Sequence, residues 1–111
     1  LVKMRELEDK SQRDGLTGAH NRSYFDDTIQ REFILSAQHS LPLTIALIDL
    51  DHFKNVNDTY GHLVGDAVLI AAVRAIYGQI RQDDVLSRFG GEEFMLILPF
   101  MLPSKRGEIR L

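Results

Sequence analysis

The stretch "SRFGGEEFMLIL", residues 87–98, places two glycines and two glutamates between segments that are typical of strands. This pattern predicts a β-hairpin with strands over 85–89 and 93–100 and a tip at Gly90 and Gly91. Glycines at such a tip either serve the turn itself or let a phosphate or a base approach the backbone closely. Two carboxylates beside the tip need a reason of their own, because adjacent negative charges repel.

The segments before the hairpin predict the rest of a layered domain. Residues 43–50, "LTIALIDL", are apolar and partly β-branched, which predicts a strand buried on both faces. Residues 49–62, "DLDHFKNVNDTYGH", predict a short helix and a loop. In residues 65–80, "GDAVLIAAVRAIYGQI", apolar side chains recur at intervals of three and four, which predicts a helix packed on the sheet. The resulting βαββ order indicates an α+β fold with a central, mainly antiparallel sheet flanked by helices.

A further helix is predicted upstream of the first strand. Ser23 followed by Asp26 matches a capping box, and Ser40 and Pro42 are expected to end the helix. Its apolar side chains would share one face, namely Phe25, Ile29, Phe33 and Ala37.

The two termini suggest how the chain is organised. Residues 1–13 are charged and favour helix, which predicts a helical linker from an upstream regulatory region; a frayed terminal extension is the alternative. Residues 14–111 are then one domain, of a length that supports a single core.

Composition excludes several classes of protein. The chain has 111 residues, no cysteine and a formal charge of −3, with lysines and arginines scattered among acids. These features exclude disulfides and thiolate metal sites, and they argue against a nucleic-acid partner. No apolar run approaches the roughly 18 residues that span a bilayer, so no membrane contact is expected from this segment, and a cytoplasmic location is predicted. No zinc-ligand spacing is found among the histidines, which are His20, His39, His52 and His62.

The acidic residues predict a metal site if the first strand lies beside the hairpin. That arrangement brings Asp49 and Asp51 close to Glu92 and Glu93. Carboxylates that meet in this way repel one another unless a cation lies among them, and Mg²⁺ suits carboxylate and phosphate oxygens. A solvated acidic loop is the alternative for an Asp-x-Asp pattern alone.

Three blocks of the chain resemble the GGDEF domains, whose enzymes are the diguanylate cyclases. The blocks are "DGLTGAHNRSYF", "LIDLDHFKNVNDTYGHLVGD" and "RQDDVLSRFGGEEF", within residues 14–94. The resemblance implies a fold related to nucleotidyl cyclases and the polymerase palm. It also implies an activity, the condensation of two GTP molecules into cyclic di-GMP and two pyrophosphates.

The resemblance implies a catalytic and metal-binding set. Asp49, the backbone carbonyl of Leu50 and Glu92 would bind Mg²⁺, and Glu92 would also be the candidate base. Glu93 completes the acidic catalytic pair. Lys54 matches a position that would stabilise the transition state, as a positive charge beside a triphosphate can do.

The resemblance further implies a GTP-binding set. Asn57 and Asp66 match guanine-reading positions, and a carboxylate can accept hydrogen bonds from guanine N1 and N2, whereas adenine offers no such pair of donors. Gly90 and Gly91 would lie against the nucleotide. His62 matches a further substrate contact, although a surface-loop histidine is an alternative reading.

Arg81 and Asp84 suggest a second nucleotide site. Arg81 stands nine residues before Gly90, the offset at which the family keeps its product-inhibition site. Arg81 could stack on a guanine while Asp84 accepts from its edge. An exposed ion pair of little consequence is the alternative.

The carboxy-terminal part departs from the family pattern. Family members continue beyond the GGEEF strand with further helices and strands, whereas this sequence ends at Leu111. Whether it is a fragment or a natural truncation stays open. The basic residues near this end do not match the family's phosphate-binding positions; they are Lys105, Arg106 and Arg110. The 111-residue chain is expected to be inactive by itself.

Two functions follow as hypotheses. The first is a diguanylate cyclase catalytic domain, which would work as a two-fold homodimer because two GTP molecules must face each other. Cyclic di-GMP would be both its product and its inhibitor. The second is a non-catalytic module, derived from such a domain, that binds GTP or cyclic di-GMP.

Overall fold

The computed structural model describes residues 12–102. Within this range the chain forms three helices and three strands. In chain order these are α1 (Arg22–His39), β1 (Leu43–Asp49), α2 (Phe53–Tyr60), α3 (His62–Tyr77), β2 (Val85–Gly90) and β3 (Glu93–Pro99). The helical linker predicted over residues 1–13 lies outside the described residues except for its last two positions. No helix within residues 12–102 has the length and apolar content that crossing a bilayer requires.

The three strands form one antiparallel sheet in the order β1-β3-β2. The hairpin strand β3 is central, and β1 pairs with it from Leu43 opposite Pro99 to Asp49 opposite Glu93. The α+β class and the antiparallel sheet are therefore confirmed, and β1 does lie beside the hairpin. The carboxyl end of β1 meets the start of β3, next to the hairpin tip.

One face of the sheet packs against α3 to form the hydrophobic core. The apolar period of α3 places its inward side chains over alternate residues of β2 and β3, as expected for an amphipathic helix on a sheet. Burying these side chains removes apolar surface from water. The burial stabilises the fold by about 25 cal/mol per Å² and is its main stabilising contribution. The buried cluster consists of Ala19, Phe53, Leu69, Val73, Ile76, Leu86, Phe94, Leu96 and Leu98.

The other face of the sheet is covered only in part. The start of α1 packs there, since Phe25 meets Phe89 edge to face at 4.9 Å between ring centroids. Further along α1, Phe33 is 67% exposed, and a cavity of about 410 Å³ lies between α1 and β1. On β1, Ile45 is 44% exposed and Leu47 is 66% exposed. The prediction that β1 is buried on both faces is therefore wrong for the described residues, because α1 covers this strand only in part.

The apolar face predicted for α1 is likewise buried only at its start. Phe25 is buried, whereas Phe33 and Ala37 are exposed. The predicted capping box is also not formed. Asn21 is the N-cap, and its side-chain oxygen accepts a hydrogen bond from the Tyr24 N–H at 3.0 Å. Asparagine caps as well as serine does, so the helix starts two residues before the predicted cap would allow. Its end at Ser40 is as predicted.

Boundaries around the later elements shift by a few residues. Helix α3 begins at His62 rather than 65, because Gly61 takes a positive φ of 89° and separates it from α2. In the hairpin, Gly90 belongs to β2, so Gly91 and Glu92 form the turn. The register shifts between Arg88 and Gly90, a bulge that precedes the tip.

Candidate nucleotide and metal site

The end of the sheet beside the hairpin tip gathers the predicted acidic residues. Asp49 is the cross-strand partner of Glu93. One residue further on, the Leu50 N–H donates to the Glu92 carbonyl oxygen at 3.3 Å. Two segments that are about forty residues apart in sequence are thus joined at the positions that the sequence predicted for metal binding and catalysis.

A pocket of about 320 Å³ opens at this end of the sheet. Its acidic rim comes from the end of β1, and its apolar wall comes from α2 and α3. The lining residues are Asp49, Leu50, Asp51, Phe53, Val56 and Val68. A concave site that combines an apolar wall with a few polar groups is typical of small-molecule binding.

The residues at this end of the sheet offer oxygen donors that would suit a magnesium ion shared with a phosphate ligand. Within residues 12–102, no three or more His, Cys, Asp or Glu side chains are grouped so that they could hold a metal by themselves. The grouping of all four acids around one cation, expected from the chain order, is therefore not formed. Mg²⁺ characteristically takes one or two carboxylates together with phosphate oxygens and water. Asp49, the Leu50 carbonyl and Glu92 supply hard oxygen donors of this kind.

The tip glycines leave open space in front of the hairpin. Neither Gly90 nor Gly91 has a positive φ. A Cβ built on either one would meet no atom within 4 Å. The backbone conformation and the internal packing of the described residues therefore do not require glycine at these positions. A ligand that approaches this backbone closely is a physical reason for having no side chain there.

Arg88 clamps the hairpin tip to the loop that precedes α1. Its Nε and Nη2 donate to the Gly91 carbonyl oxygen at 3.1 and 2.9 Å. Its Nη1 donates to both carboxylate oxygens of Asp14, at 3.2 and 3.1 Å. The guanidinium has a rigid, planar set of donors, so one side chain fixes both partners. The clamp therefore joins the tip to Asp14, which lies 74 positions before Arg88 in the chain.

Asp14 is itself held by an Asx-type turn. The Thr17 N–H and hydroxyl donate to its Oδ2 at 2.8 and 2.7 Å. Burial alone would raise the pKa of Asp14, but the hydrogen bonds from Thr17 and the charge of Arg88 outweigh burial and hold the pKa below 3.8. A carboxyl whose pKa falls on folding contributes stability above its unfolded pKa, and the contribution disappears as the pH drops through the lower, folded pKa.

The residues predicted to read guanine lie on the two helices beside the pocket. Asn57 belongs to α2 and is partly buried, and its side-chain oxygen lies directly against Gly65 of α3. Asp66 follows Gly65 and is also partly buried. Lys54, in the first turn of α2, and His62, the first residue of α3, are exposed. The structure thus brings Asn57 close to the residue that precedes Asp66.

Arg81 and Asp84 lie before β2, at the opposite end of that strand from the tip. Asp84 Oδ1 accepts from Arg81 Nε and Nη2 at 3.1 and 2.9 Å, and its Oδ2 accepts from the Arg81 backbone N–H at 2.7 Å. Arg81 Nη2 also donates to the Pro99 carbonyl oxygen at 2.6 Å. The Asp84 side chain is fully buried, while that of Arg81 is 42% exposed. The pair is therefore more deeply buried and more extensively hydrogen-bonded than a simple surface ion pair.

Sequence reasoning missed three of the residues that shape the site. Asp14 and Arg88 form the clamp, and Gly65 packs against Asn57. The Asp-x-x-Thr pattern of residues 14–17 is a local signal for an Asx turn, and it could have identified half of the clamp. The partner on β2 carries no local signal of this kind.

Comparisons with known proteins agree with the fold. The family model "Diguanylate cyclase, GGDEF domain" matches residues 11–109. The chain therefore belongs to the GGDEF domain family. It is 43% identical over 94 residues to the probable diguanylate cyclase DgcC of Escherichia coli K12, covering 85% of this chain and 25% of that protein.

Two solved structures are similar over most of the chain. The first is the diguanylate cyclase SiaD of Pseudomonas aeruginosa in complex with its activator SiaC, with a TM-score of 0.84 and 39% identity over 93% of this chain and 41% of that one. The second is the coiled coil and GGDEF domain of DgcB from Caulobacter crescentus in complex with c-di-GMP. It has a TM-score of 0.86 and 31% identity, over 93% of this chain and 54% of that one. The chain thus spans a quarter to about half of these relatives.

Proposed function

We propose that this chain supplies the GTP-binding and catalytic part of a diguanylate cyclase, which condenses two GTP molecules into cyclic di-GMP. One observation carries the proposal. The acidic end of β1 lies beside a hairpin tip whose two glycines are required neither by backbone conformation nor by internal packing. Membership of the GGDEF family supports the same activity.

The acidic residues have distinct roles in this proposal. Asp49, the Leu50 carbonyl and Glu92 would hold Mg²⁺ together with the triphosphate. Bound Mg²⁺ would neutralise charge on the phosphoryl oxygens and lower the pKa of the attacking 3′-hydroxyl. Glu92 would accept the proton of that hydroxyl, and Glu93 would keep the tip acidic beside it. Lys54 would offset the charge that develops in the transition state.

GTP would be selected by its base at the α2 and α3 side of the pocket. The Asp66 carboxylate would accept from guanine N1 and N2, and the Asn57 carboxamide would bond to the remaining polar edge. Gly90 and Gly91 would let the nucleotide lie on the hairpin backbone. His62 would be a further contact with the nucleotide, since it is the first residue of α3 and is exposed next to Gly61.

A working enzyme would be a homodimer. Each subunit binds one GTP, and the 3′-hydroxyl of one must reach the α-phosphate of the other, which a two-fold axis provides. Since GTP is a cytoplasmic nucleotide, we place the domain in the cytoplasm.

The test uses the protein encoded by the complete open reading frame that contains this chain, and this protein is incubated with GTP and Mg²⁺. We expect cyclic di-GMP in a chromatographic assay and no cyclic product from ATP. Glu92→Gln should reduce turnover at least about a thousandfold, because it removes the base and a metal ligand together. Glu32→Gln, at a half-buried position on α1, is the matched control and should retain full turnover.

Dilution adds a second criterion to the same assay. We expect the rate per subunit to fall as the protein is diluted into a range where light scattering shows monomer. Turnover that is independent of dilution would contradict the dimer. Binding of GTP or cyclic di-GMP without any turnover would instead assign a non-catalytic binding module.

The pair Arg81–Asp84 would form a second, inhibitory site for the product. The Arg81 side chain is 42% exposed, so it would be available to a guanine while Asp84 holds it in place. This role would give cyclic di-GMP negative feedback on its own synthesis.

A further inference from the structure

Gly65 occupies the closest approach between α2 and α3. It is buried in the first turn of α3. A Cβ built at this position would lie 1.7 Å from Asn57 Oδ1 and 2.9 Å from Asn57 Cγ. The next neighbour, Phe53 Cζ, would be 3.4 Å away, close to an ordinary van der Waals contact. The Asn57 carboxamide therefore occupies the space that any side chain at position 65 would need.

The backbone at Gly65 does not explain the glycine. It is helical and is not among the positive-φ glycines of residues 12–102, which are Gly18 and Gly61. Glycine is a poorer helix former than alanine, so in the first turn of a helix it lowers stability. Gly78, just after the end of the same helix, is different, because a Cβ there would meet only carbonyl oxygens at 3.6 and 3.7 Å.

We propose that Gly65 is a specificity-determining positioning residue, which seats the Asn57 carboxamide so that it and the adjacent Asp66 together read the guanine of GTP. This inference rests on the proposed function. The steric conflict falls on the end of the Asn57 side chain rather than on backbone, so a methyl group at position 65 would displace the carboxamide while both helices keep their places.

The physical consequence is a loss of base recognition rather than of fold. A displaced carboxamide leaves polar atoms of the guanine edge desolvated and unpaired, and such a loss weakens binding and discrimination. The acidic end of β1 and the hairpin tip lie on other elements, so the chemical step should be affected much less than the binding of the base.

The experiment measures equilibrium binding by calorimetry, with the protein encoded by the complete open reading frame. The probes are the α,β-methylene analogues of GTP and ATP, which cannot release pyrophosphate. For Gly65→Ala we expect binding of the guanine analogue to weaken about tenfold or more, which corresponds to about 1.4 kcal/mol. In turnover assays, KM for GTP should rise by a similar factor while kcat stays within about twofold. Gly78→Ala, the matched control, should change neither quantity.

A double-mutant cycle separates this role from simple helix packing. In an Asn57→Ala background the conflicting atoms are gone, so adding Gly65→Ala should change guanine binding less than about twofold. An equal loss in both backgrounds would overturn the inference and leave Gly65 a packing residue. Asn57→Gln keeps Gly65 and shifts the carboxamide by one methylene, so it should also weaken guanine binding. Unchanged binding in that variant would overturn the inference even if Gly65→Ala failed to fold.

Failure of the proposed function has a different signature. A wild-type protein that binds the guanine and adenine analogues equally well would contradict the proposed selection of GTP, and the inference with it. A wild type that prefers guanine, with an equal preference in Gly65→Ala, would contradict the inference alone.

Discussion

Two arginine–aspartate pairs stand at opposite ends of β2 and use the same chemistry for different purposes. Arg81 and Asp84 are three residues apart and close a tight turn before the strand, with the carboxylate fully buried. Arg88 and Asp14 are 74 residues apart, and both remain about one-fifth exposed. The local pair is locked into the fold, whereas the long-range pair joins the hairpin tip to the loop before α1. A pair's sequence separation and burial indicate whether stability or site geometry depends on it.

The largest effect on stability is expected at the buried carboxylate. Asp84→Ala removes the acceptor of three hydrogen bonds from Arg81 and leaves a donor group of the turn without its partner. We expect the free energy of unfolding to fall by roughly 2–4 kcal/mol. Urea unfolding measures this change. Asp83→Ala alters the exposed neighbour and should stay within about 0.5 kcal/mol of wild type. Equal losses in the two variants would remove the distinction between the buried pair and ordinary surface charge.

The second effect concerns the geometry of the tip. Arg88→Ala frees the Gly91 carbonyl from its two donors, and it frees Asp14 from the same guanidinium. We expect cyclic di-GMP formation to fall between about tenfold and a hundredfold, because the tip carries the proposed catalytic glutamates and small displacements of such a segment are costly. The free energy of unfolding should change less than in Asp84→Ala, since this pair is partly exposed and therefore partly screened by solvent. The measurement is steady-state turnover alongside urea unfolding.

Two further variants sharpen this test of the clamp. Arg88→Lys keeps the charge but cannot donate to Gly91 and Asp14 in one planar arrangement. Its turnover should therefore fall nearly as far as that of Arg88→Ala. Arg74→Ala, at an exposed position in the last turn of α3, is the matched control. Full turnover in Arg88→Ala would show that the tip is positioned without the clamp.

The contrast between the two pairs also explains what the sequence could predict. Local periodicity predicts the hairpin, β1 and α3. The pairing of β1 with β3 places Asp49 beside Glu93, as expected. Arg81 and Asp84 were identified as a pair from their close spacing in the sequence and from their offset to Gly90, which matches the family pattern. The clamp could not be identified in this way, because Asp14 and Arg88 meet only after the chain has folded.

Two other features depended on how elements approach one another. The seat of Asn57 against Gly65 arises from the distance between two helices, which periodicity does not specify. The exposure of Ile45 and Leu47 arises because α1 covers only part of one sheet face, and an apolar strand gives no sign of which helix covers it. Element type is therefore local information, while coverage and close approach are properties of the assembled fold.

The smallest effect on turnover is expected at Arg81, and it distinguishes the two ends of β2 most directly. Arg81→Ala removes the guanidinium, yet the Asp84 carboxylate still accepts from the backbone N–H of residue 81, so the turn keeps part of its support. The substituted residue lies at the far end of β2 from the tip, so turnover at saturating GTP should stay within about twofold of wild type. The concentration of cyclic di-GMP that halves the initial rate should rise about tenfold or more, since a charged, hydrogen-bonding contact to guanine is lost. Initial rates measured over a range of added cyclic di-GMP give both numbers in one experiment. Exposed Gln82→Ala, in the same turn, controls for changes in local surface. An unchanged inhibition constant in Arg81→Ala would leave this pair with a purely structural role, and the two ends of β2 would then differ only in which part of the fold they hold.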